Sequence, residues 1–363
     1  MLDTQKVVIL GSTGSIGVQA LEIIADNPER FKVVGLAAGG GKAELLNEQA
    51  KKFSVAKVGT GIETATEIAA IDCEIVLNAI TGSIGLAPTL AALEASNKVA
   101  LANKESLVAG GDLVMKYGRE QIIPVDSEHS ALYQSLKAGK LSEVKKMVLT
   151  ASGGPFRQRT DFSNISVEDA LAHPTWSMGP VVTINSATLM NKGLEIIEAH
   201  YLFNLPYKAI EAVIHPQSVI HSMVEFLDGS TIAQASPPSM KGPISYALGQ
   251  GERVSGAMTP VDWSKSQNWS FEPIDNEKFP AIRLAREVGE VGGGLTAIFN
   301  AANEVCVDAF LNRSISFTEI VKVVEKVVSG FAKSAPFQIR DLADVSALEN
   351  DARKVTAEII KGA

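Results

Sequence analysis

A glycine-rich turn between the first predicted strand and the first predicted helix constrains the fold more than any other sequence feature. Residues 7–10 (Val-Val-Ile-Leu) are apolar, residues 11–17 read Gly-Ser-Thr-Gly-Ser-Ile-Gly, and residues 15–25 have a helical pattern. Glycines let the backbone approach a pyrophosphate closely, and the N–H groups that begin a helix favour anions. The segment predicts a dinucleotide-binding βα unit; the alternative is an ordinary βα turn with incidental glycines.

Strands and helices continue to alternate as far as residue 125. Apolar strands are predicted at 32–36, 75–78, 99–101 and 121–125, with a helix at 42–52 and further helices after the strands at 75–78 and 99–101. Such alternation is typical of a parallel sheet covered by helices on both faces. We therefore predict an α/β protein whose N-terminal part is a Rossmann-like, doubly wound parallel sheet.

The pattern changes after about residue 140. A strand at 146–150, a polar loop at 153–180, one helix at 187–202, a strand at 212–214 and a hairpin at 219–235 predict a central α+β domain with a mostly antiparallel sheet. Apolar residues recur at helical spacing over 295–311, 317–328 and 345–360, which predicts a C-terminal helical bundle. The predicted domains are 1–125 (dinucleotide-binding), 126–250 (catalytic), 251–279 (linker) and 280–363 (helical).

Composition limits the classes of partner. The net charge is −8, without a clustered run of lysine and arginine, so a nucleic-acid partner is not expected. No apolar run approaches the length of a membrane span and no basic, apolar leader precedes the first strand. Cys73 and Cys306 are too few for a disulfide framework, which is typical of a reducing compartment. We predict a cytoplasmic protein without membrane association.

The residues after the second predicted strand bear on the choice of dinucleotide. NAD-specific sheets usually carry an acidic residue there, which binds the ribose 2′-hydroxyl. This chain has Ala37 and Ala38, then Gly39, Gly40, Gly41 and Lys42. The absence of a carboxylate and the nearby lysine favour NADP. The alternative for Lys42 is a solvated lysine in the first turn of a helix.

Acidic residues in two segments suggest a divalent cation. Asp126 and Glu128 directly follow the strand that ends at 125, and the carboxyl ends of parallel strands are where ligands bind. Asn191, Lys192 and Glu195 share one face of a predicted helix, and Glu195 could provide a third carboxylate. The alternatives are a helix N-cap at Asp126 and a solvated helix face.

Two further segments suggest binding of an anionic substrate. Ser152-Gly153-Gly154 follows a strand and leaves N–H groups and a hydroxyl available to an anion. The loop at 173–180 contains Trp176 between proline and glycine residues. Trp176 belongs either to a lid that closes over substrate or to the packing beneath the loop.

Taken together, these motifs resemble those of the 1-deoxy-D-xylulose 5-phosphate reductoisomerase family. The matching stretches are residues 11–17, 102–106 (Ala-Asn-Lys-Glu-Ser), 126–129 (Asp-Ser-Glu-His), 152–157 (Ser-Gly-Gly-Pro-Phe-Arg), 173–179 (His-Pro-Thr-Trp-Ser-Met-Gly), 186–195 (Ser-Ala-Thr-Leu-Met-Asn-Lys-Gly-Leu-Glu), 215–222 (His-Pro-Gln-Ser-Val-Ile-His-Ser) and 300–304 (Asn-Ala-Ala-Asn-Glu). The resemblance extends from residue 8 to about 245 and resumes at 300. It implies an NADPH-dependent, homodimeric oxidoreductase that needs Mg²⁺, Mn²⁺ or Co²⁺. It also implies rearrangement and reduction of a phosphorylated ketose to 2-C-methyl-D-erythritol 4-phosphate.

The resemblance also implies roles for individual residues. The metal ligands would be Asp126, Glu128 and Glu195, and the catalytic residues Lys104, Glu128 and His173. Substrate would contact Lys104, Ser127, Glu128, Ser152, His173, Ser186, Asn191, Lys192 and Glu195. The cofactor would contact Thr13, Gly14, Ser15, Ile16, Gly39, Gly40, Gly41, Asn103, Glu105 and Gly179.

The chain departs from the family pattern at two places. Gly39-Gly40-Gly41 occupies a position where many members have a basic residue and asparagine, and Ser239 stands where aspartate is more usual. Two other functions fit part of the sequence: an NADP-dependent dehydrogenase without rearrangement, and a non-catalytic dinucleotide sensor. An acylating semialdehyde dehydrogenase is disfavoured, because neither cysteine has the setting of a nucleophile.

Overall fold

The structure is a computed structural model that describes residues 4–176 and 178–362. The strands of the described chain are β1 (Gln5–Leu10), β2 (Phe31–Ala38), β3 (Lys57–Thr60), β4 (Ile75–Asn78), β5 (Lys98–Leu101), β6 (Ile122–Pro124), β7 (Val144–Ala151), β8 (Ile210–Ile214), β9 (Ile220–Phe226), β10 (Thr231–Ala235) and β11 (Glu272–Pro273). Its α-helices are α1 (Ser15–Ala25), α2 (Ala43–Lys52), α3 (Ile62–Ala69), α4 (Leu86–Glu94), α5 (Glu105–Val114), α6 (Ser127–Ser135), α7 (Val167–Leu171), α8 (Pro180–Ala187), α9 (Met190–Phe203), α10 (Lys241–Leu248), α11 (Ala281–Val291), α12 (Leu295–Leu311), α13 (Phe317–Ala332) and α14 (Leu342–Lys361).

These elements form two compact units, and each unit contains more than one segment of the chain. Unit 1 comprises residues up to 107, residues 111–137 and residues 239–261. Unit 2 comprises residues 108–110, 138–238 and the chain from 262 onward. Unit 1 therefore contains the parallel sheet, and unit 2 contains the second sheet and the C-terminal helices.

The sheet of unit 1 has six parallel strands in the order β3-β2-β1-β4-β5-β6. The strand order reverses between β1 and β4, which is where doubly wound sheets bind ligands. Val7, Val8, Ile9 and Leu10 have no exposed surface, as expected for a central strand covered on both faces. The predicted Rossmann-like fold is confirmed, although the sequence interpretation omitted β3 and α3.

Helix α10 completes the core of unit 1 from a distant part of the chain. Its residues Ile244, Ala247 and Leu248 are buried in the same apolar cluster as Val7 and Ile9. Its first residue, Lys241, forms an ion pair of 2.8 Å with Glu22 of α1. The Gln5 amide donates to the Leu248 carbonyl at 2.7 Å, so both ends of α10 are bound to the N-terminal segment.

Unit 2 has a five-stranded sheet in the order β10-β9-β7-β8-β11. Only the β7–β8 pair is parallel, so the predicted, mostly antiparallel sheet is confirmed. The predicted hairpin corresponds to β9 and β10, joined through Asp228 and Gly229. Strand β11 lies within the segment that the sequence analysis describes as a linker.

The C-terminal helices pack around α12, which contacts α13 and α14. Five phenylalanines connect these helices to the chain that follows β7, through ring-to-ring contacts with centroid separations of 5.1–6.2 Å. They are Phe156, Phe162, Phe279, Phe310 and Phe317. The predicted helical bundle is thus confirmed, and its apolar core also fixes the start of the loop at 153–180.

The helix predicted at 187–202 corresponds to α9, which begins at Met190, and the separate helix α8 was not predicted. Helix α8 ends at Ala187, and Leu189 adopts a left-handed conformation with φ of +57° before α9 begins. The Thr188 hydroxyl lies within hydrogen-bonding distance of the Ile184 and Asn185 carbonyl oxygens, and its oxygen accepts from the Met190 N–H. Thr188 therefore satisfies backbone groups of both helices at the break.

The prediction that 153–180 lacks regular structure is also wrong. Helix α7 lies within this segment, and Ser166 and Asp169 form a capping box at its start. This pair provides hydrogen-bond partners for two of the N–H groups that a short helix leaves without one. Across the described residues, the structure contains no helix long and apolar enough to cross a membrane.

Candidate active site

The glycine turn of unit 1 lies at the reversal point of the sheet, where the sequence places it. Gly11 has a φ of +81°, and a Cβ atom there would lie 2.6 Å from the Ala79 carbonyl oxygen of the neighbouring strand end. A Cβ atom on Gly17 would lie 2.4 Å from the Gly11 carbonyl oxygen. Only glycine fits at these two positions, which bring α1 and β1 close together.

The predicted cofactor residues Thr13, Gly14, Ser15 and Ile16 span the end of the glycine turn and the start of α1. Gly14 is the N-cap and has no side chain to bind the first N–H groups of the helix. Those N–H groups are therefore directed at the position that an anion takes at a helix N-terminus. The buried Gln49 amide of α2 donates to the Ser12 carbonyl at 2.9 Å and holds the turn from a second helix.

Gly39, Gly40 and Gly41 lie at the end of β2, in and just before a short 3₁₀ turn. A Cβ atom built on any of the three would meet nothing within 4 Å, so the surface is open there. The Lys42 ammonium donates to the Thr13 carbonyl oxygen at 3.3 Å. Lys42 therefore lies against the glycine turn, which argues against the alternative of a lysine that contacts solvent alone.

The side chain of Asn103, another predicted cofactor residue, is fully engaged within unit 1. Its amide donates to the Gly82 carbonyl at 2.8 Å and also to the Ile80 carbonyl, and its oxygen accepts from the Ser106 N–H at 3.0 Å. The Glu105 carboxylate accepts from the same amide at 3.1 Å. Asn103 thus fixes the loop after β4, and any contact with a dinucleotide would use its backbone.

Acidic and basic side chains meet where β5 and β6 end. The Lys104 ammonium is paired with the Asp126 carboxylate, and both side chains are largely buried. Asp126 occupies the N-cap position of α6, yet its side chain makes no capping hydrogen bond. Asp126 thus takes the N-cap position, with Glu128 in the first turn, but does not cap the helix through its side chain. The Ser127 hydroxyl donates to the Glu128 carboxylate at 2.7 Å.

In unit 2, His173 brings the two predicted substrate-binding serines together. Its Nε2 atom lies 3.1 Å from the Ser152 hydroxyl and 3.1 Å from the Ser186 hydroxyl. The Ser152 hydroxyl also accepts from the Gly154 N–H at 3.2 Å. One imidazole nitrogen, two hydroxyls and the Ser-Gly-Gly turn thus form a compact polar group, hereafter the His173 group.

Backbone contacts determine which nitrogen of His173 carries the proton. The Trp176 and Thr175 N–H groups donate to Nδ1 at 2.9 and 3.2 Å. In the neutral ring, Nδ1 is therefore the acceptor and Nε2 carries the hydrogen, directed at the two serines. Burial lowers the pKa of His173 below its ordinary value of 6.5, which keeps the ring neutral at pH 7.

This lowered pKa predicts a pH dependence of stability. A histidine whose pKa is lower in the folded protein contributes stability above its unfolded value of 6.5, and the contribution is lost as pH falls through the folded value. Protonation at Nδ1 would also remove the acceptor for Trp176. We expect the free energy of unfolding, measured in urea, to fall between pH 7.5 and pH 5.5. His173→Gln should lose less over the same interval; an equal loss would assign the effect to other groups.

The predicted face of α9 is buried. Lys192 and Glu195 form an ion pair with 3% and 2% of their side-chain surfaces exposed, and Asn191 donates to the same Glu195 carboxylate. The alternative of a solvated face is excluded for these two charges. Buried charges persist only when they are paired and hydrogen-bonded, as here.

The loop that contains Trp176 is also described, apart from Ser177, which lies outside the described residues. The Trp176 ring is half-buried, with its centroid 6.3 Å from that of the buried His221 in β9. Gly179 is the N-cap of α8, and a Cβ atom there would meet nothing within 4 Å.

Sequence reasoning gave no role to two fully buried ionisable residues near the predicted metal ligands. His129 follows Glu128 on α6, and Glu198 lies one helical turn after Glu195 on α9. Full burial of a carboxylate or an imidazole is unusual away from a functional or paired setting. His129 belongs to the motif at 126–129, so the sequence could have indicated a role for it. The sequence alone does not distinguish Glu198 from a surface residue, because its burial depends on how α9 packs.

The two cysteines are structural. Burial raises the pKa of Cys73 to about 12, and burial raises the pKa of Cys306 to about 12. Thiolate nucleophiles need a lowered pKa and access to substrate. An acylating dehydrogenase that works through a cysteine is therefore excluded.

A doubly wound parallel sheet with a glycine turn at its reversal point is the architecture of dinucleotide-dependent oxidoreductases. Three sequence profiles match the chain. They describe 1-deoxy-D-xylulose 5-phosphate reductoisomerase (residues 7–60 and 55–111), its C-terminal domain (122–203), and the DXP reductoisomerase C-terminal domain (235–355). The chain belongs to the 1-deoxy-D-xylulose 5-phosphate reductoisomerase family.

Individual relatives agree with this assignment. The chain is 52% identical over 383 residues to the reductoisomerase of that name from Streptomyces avermitilis, covering 97% of both chains. It is 55% identical over 347 residues to that from Leifsonia xyli, covering 94% of this chain and 96% of the relative. The solved structure of the Zymomonas mobilis enzyme in complex with NADPH superposes with a TM-score of 0.92 at 37% identity, covering 99% and 100% of the two chains. A complex with NADPH, fosmidomycin and magnesium gives 0.91 at 37% identity, covering 98% of each.

Proposed function

We propose that this protein converts 1-deoxy-D-xylulose 5-phosphate to 2-C-methyl-D-erythritol 4-phosphate, with NADPH as reductant and a divalent metal ion. The family membership supports the reaction, because relatives with that name align over 94% to 98% of the chain. The structural observation that carries the proposal is the His173 group, in which His173 Nε2 lies 3.1 Å from each of two serine hydroxyls, a set of donors that suits a phosphate.

The phosphate end of the substrate would be bound within unit 2. The Ser152 and Ser186 hydroxyls beside His173 Nε2 would donate to the phosphate, and Asn191 and Lys192 lie at the start of the following helix. Charge-assisted hydrogen bonds of this kind are about twice as strong as neutral ones. Binding energy from the unreactive phosphate can then help to order the loop with Trp176 over the substrate.

The donor chemistry of Asp126, Glu128 and Glu195 fits the divalent metal that we propose they hold. All three offer carboxylate oxygens, which Mg²⁺ and Mn²⁺ prefer, with Co²⁺ as a further candidate. When bound, the metal supplies Lewis-acid stabilisation of charge on substrate oxygens while a carbon–carbon bond breaks and reforms. Lys104, paired with Asp126, can orient that carboxylate and contact substrate.

We propose that NADPH binds at the glycine turn of unit 1. It supplies the hydride that reduces the rearranged aldehyde. Open N–H groups at the start of α1 would bind the pyrophosphate. The proposed contacts are Thr13, Gly14, Ser15, Ile16, Gly39, Gly40, Gly41, the Asn103 backbone, Glu105 and Gly179.

Lys42 provides a test of the dinucleotide choice. None of residues 39–43, which directly follow β2, is acidic, and the Lys42 ammonium already lies against the glycine turn. We expect Lys42→Ala to raise the Kd for NADPH about tenfold and to leave the Kd for NADH unchanged, because only NADPH carries a 2′-phosphate. Fluorescence titration of both dinucleotides measures this. Lys51→Ala, on the adjoining helix α2, is the matched control, and equal weakening of both dinucleotides by Lys42→Ala would refute the assignment.

The oligomeric state and the compartment also belong to this proposal. We propose a homodimer formed through the edge of the second sheet, where Leu227 and Ile232 are exposed on the hairpin of β9 and β10. Light scattering should give twice the monomer mass, reduced to one monomer by Ile232→Lys. A cytoplasmic location rests on the two free, buried cysteines.

The decisive experiment follows NADPH absorbance with 1-deoxy-D-xylulose 5-phosphate, with and without Mn²⁺, and identifies the product by NMR. Metal-dependent oxidation that yields the branched skeleton supports the proposed function. Reduction without rearrangement would instead indicate a simple dehydrogenase. NADPH binding without turnover by the folded protein would indicate a sensor.

A further inference from the structure

Helix α12 carries polar side chains in an almost completely buried environment. Asn303 has no exposed surface and Asn300 is 1% exposed, among apolar neighbours such as Ile298, Phe299 and Val307. Burying an amide is unfavourable unless its polar atoms are hydrogen-bonded. The motif at 300–304 therefore requires an explanation other than packing, and the catalytic proposal does not use it.

The Asn303 amide has one hydrogen-bond partner among the described residues. It donates to the Asn185 side-chain oxygen at 3.0 Å, joining α12 to α8 across 118 positions of sequence. Within the same described part of the chain, the Asn303 oxygen has no hydrogen-bond partner. An apolar residue would avoid that unsatisfied oxygen, so the specific contribution of Asn303 is the bond to Asn185.

Asn185 directly precedes Ser186 in the last turn of α8. The Ser186 hydroxyl lies 3.1 Å from His173 Nε2, and the Ser186 carbonyl would be 2.9 Å from a Cβ atom on Gly154. The turn that presents Ser186 therefore packs against the Ser-Gly-Gly segment and is also held by α12. It is followed by the left-handed Leu189, which starts α9 in a new direction.

Helix α12 is itself fixed by the neighbouring members of its motif. The Asn300 amide donates to Glu304 at 3.0 Å, and Arg353 of α14 donates to the other Glu304 oxygen at 2.7 Å. Asn300 and Glu304 thus bind α12 to α14, whereas Asn303 binds it to α8. The donor of the hydrogen bond to α8 therefore lies on a helix that is also held by α14.

We infer that Asn303 is a positioning residue: through Asn185 it fixes the last turn of α8 and therefore the Ser186 hydroxyl in the His173 group. The inference rests on the proposed function, because Ser186 acts on substrate only if this group binds the phosphate. It extends the determinants of substrate affinity to the C-terminal helices.

The test is steady-state kinetics of Asn303→Ala. We expect the KM for 1-deoxy-D-xylulose 5-phosphate to rise about tenfold, with kcat changed less than about threefold and the Kd for NADPH unchanged. The Ki of inorganic phosphate as a competitive inhibitor should rise by the same factor as KM. Asn300→Ala, an equally buried asparagine on the same helix, is the control and should lower the melting temperature without altering KM.

A double-variant cycle tests the route through Asn185. If Asn303 acts through that residue, Asn303→Ala should raise KM no further in an Asn185→Ala background. Additive effects would overturn the inference, as would a lower melting temperature with unchanged KM and Ki. If Asn303→Ala does not fold, Asn303→Asp, which keeps the size of the side chain but cannot donate to Asn185 when ionised, takes its place in the same cycle.

The proposed function can fail independently. If the wild-type protein does not turn over 1-deoxy-D-xylulose 5-phosphate, the proposed reaction is wrong. Calorimetric titration with inorganic phosphate then still tests Asn303. Weaker phosphate binding by Asn303→Ala would support positioning of Ser186, and unchanged or absent phosphate binding would refute it.

Discussion

Replacing Glu195 with glutamine is expected to raise the apparent Kd for Mn²⁺ about a hundredfold, equivalent to about 2.7 kcal/mol, and to lower kcat/KM at limiting metal by a similar factor. The substitution removes one of three proposed carboxylate ligands while preserving size. It also breaks the buried ion pair between Glu195 and the Lys192 ammonium. Metal titration of turnover, with direct calorimetry of Mn²⁺ binding, measures both effects.

Loss of a buried ion pair also destabilises the fold by about 3–5 kcal/mol, so folding must be monitored in the same samples. Glu211→Gln is a suitable control, because Glu211 pairs with Lys146 on the surface at 3.1 Å. That control should leave both metal affinity and turnover intact. A folded Glu195→Gln protein with wild-type metal affinity would remove Glu195 from the proposed ligand set.

Two substitutions of His173 are expected to separate its two roles. Asparagine retains an acceptor near the position of Nδ1, so His173→Asn should keep the contact with the Trp176 N–H and lose the contacts with Ser152 and Ser186. Glutamine reaches the position of Nε2, so His173→Gln should keep the serine contacts and lose the acceptor for Trp176. We expect His173→Asn to raise the KM for the ketose phosphate about a hundredfold, and His173→Gln about tenfold.

Trp176 fluorescence reports the contact between His173 and the Trp176 loop when Trp263 and Trp269 are replaced by phenylalanine. In that background, saturating substrate with NADPH should change the Trp176 emission of the parent protein and of His173→Asn. The change in His173→Gln should be much smaller. The Kd for NADPH should be the same in all three proteins. Equal kinetic defects in the two variants, with identical fluorescence, would show that the nitrogens of His173 do not have separate tasks.

The parallel sheet was predictable because its signals are local. Every strand of the doubly wound sheet except β3 contains a short apolar run, and the glycine turn marks the end of the first strand and the reversal point of the sheet. The missed strand β3 has the sequence Lys-Val-Gly-Thr at an edge of the sheet, where partial exposure removes the apolar signature. Edge strands depend on pairing with a neighbour, which a single segment does not reveal.

The break between α8 and α9 was not predictable by periodicity. Apolar residues keep helical spacing across 180–203, and no glycine or proline marks the change of direction at Thr188 and Leu189. The break arises because the Thr188 side chain replaces backbone partners and Leu189 tolerates a left-handed conformation in a packed setting. Tertiary contacts outweigh local propensity at such a position.

The sequence identified which residues belong to the candidate site more readily than the contacts that their side chains make. The sequence singled out Ser152, His173 and Ser186 by resemblance, and the structure brings these three together. It could not show that Asn103 would use its side chain to hold a loop, or that Ser239 would accept from the Lys241 N–H at 3.3 Å at the start of α10. The residue roles and the domain boundaries remain predictions that the substitutions above can test.

Because α10 completes the core of unit 1, that core can close only late in the synthesis of the chain on the ribosome. The apolar cluster around Val7 and Ile9 includes Ile244, Ala247 and Leu248, so it cannot close until those residues have been synthesised. Until then the emerging N-terminal sheet exposes an apolar face, and nascent chains in that state attract chaperones or aggregate. Translation that stalls between β6 and α10 should therefore release a product that is degraded, even though it already contains the complete glycine turn and all six parallel strands.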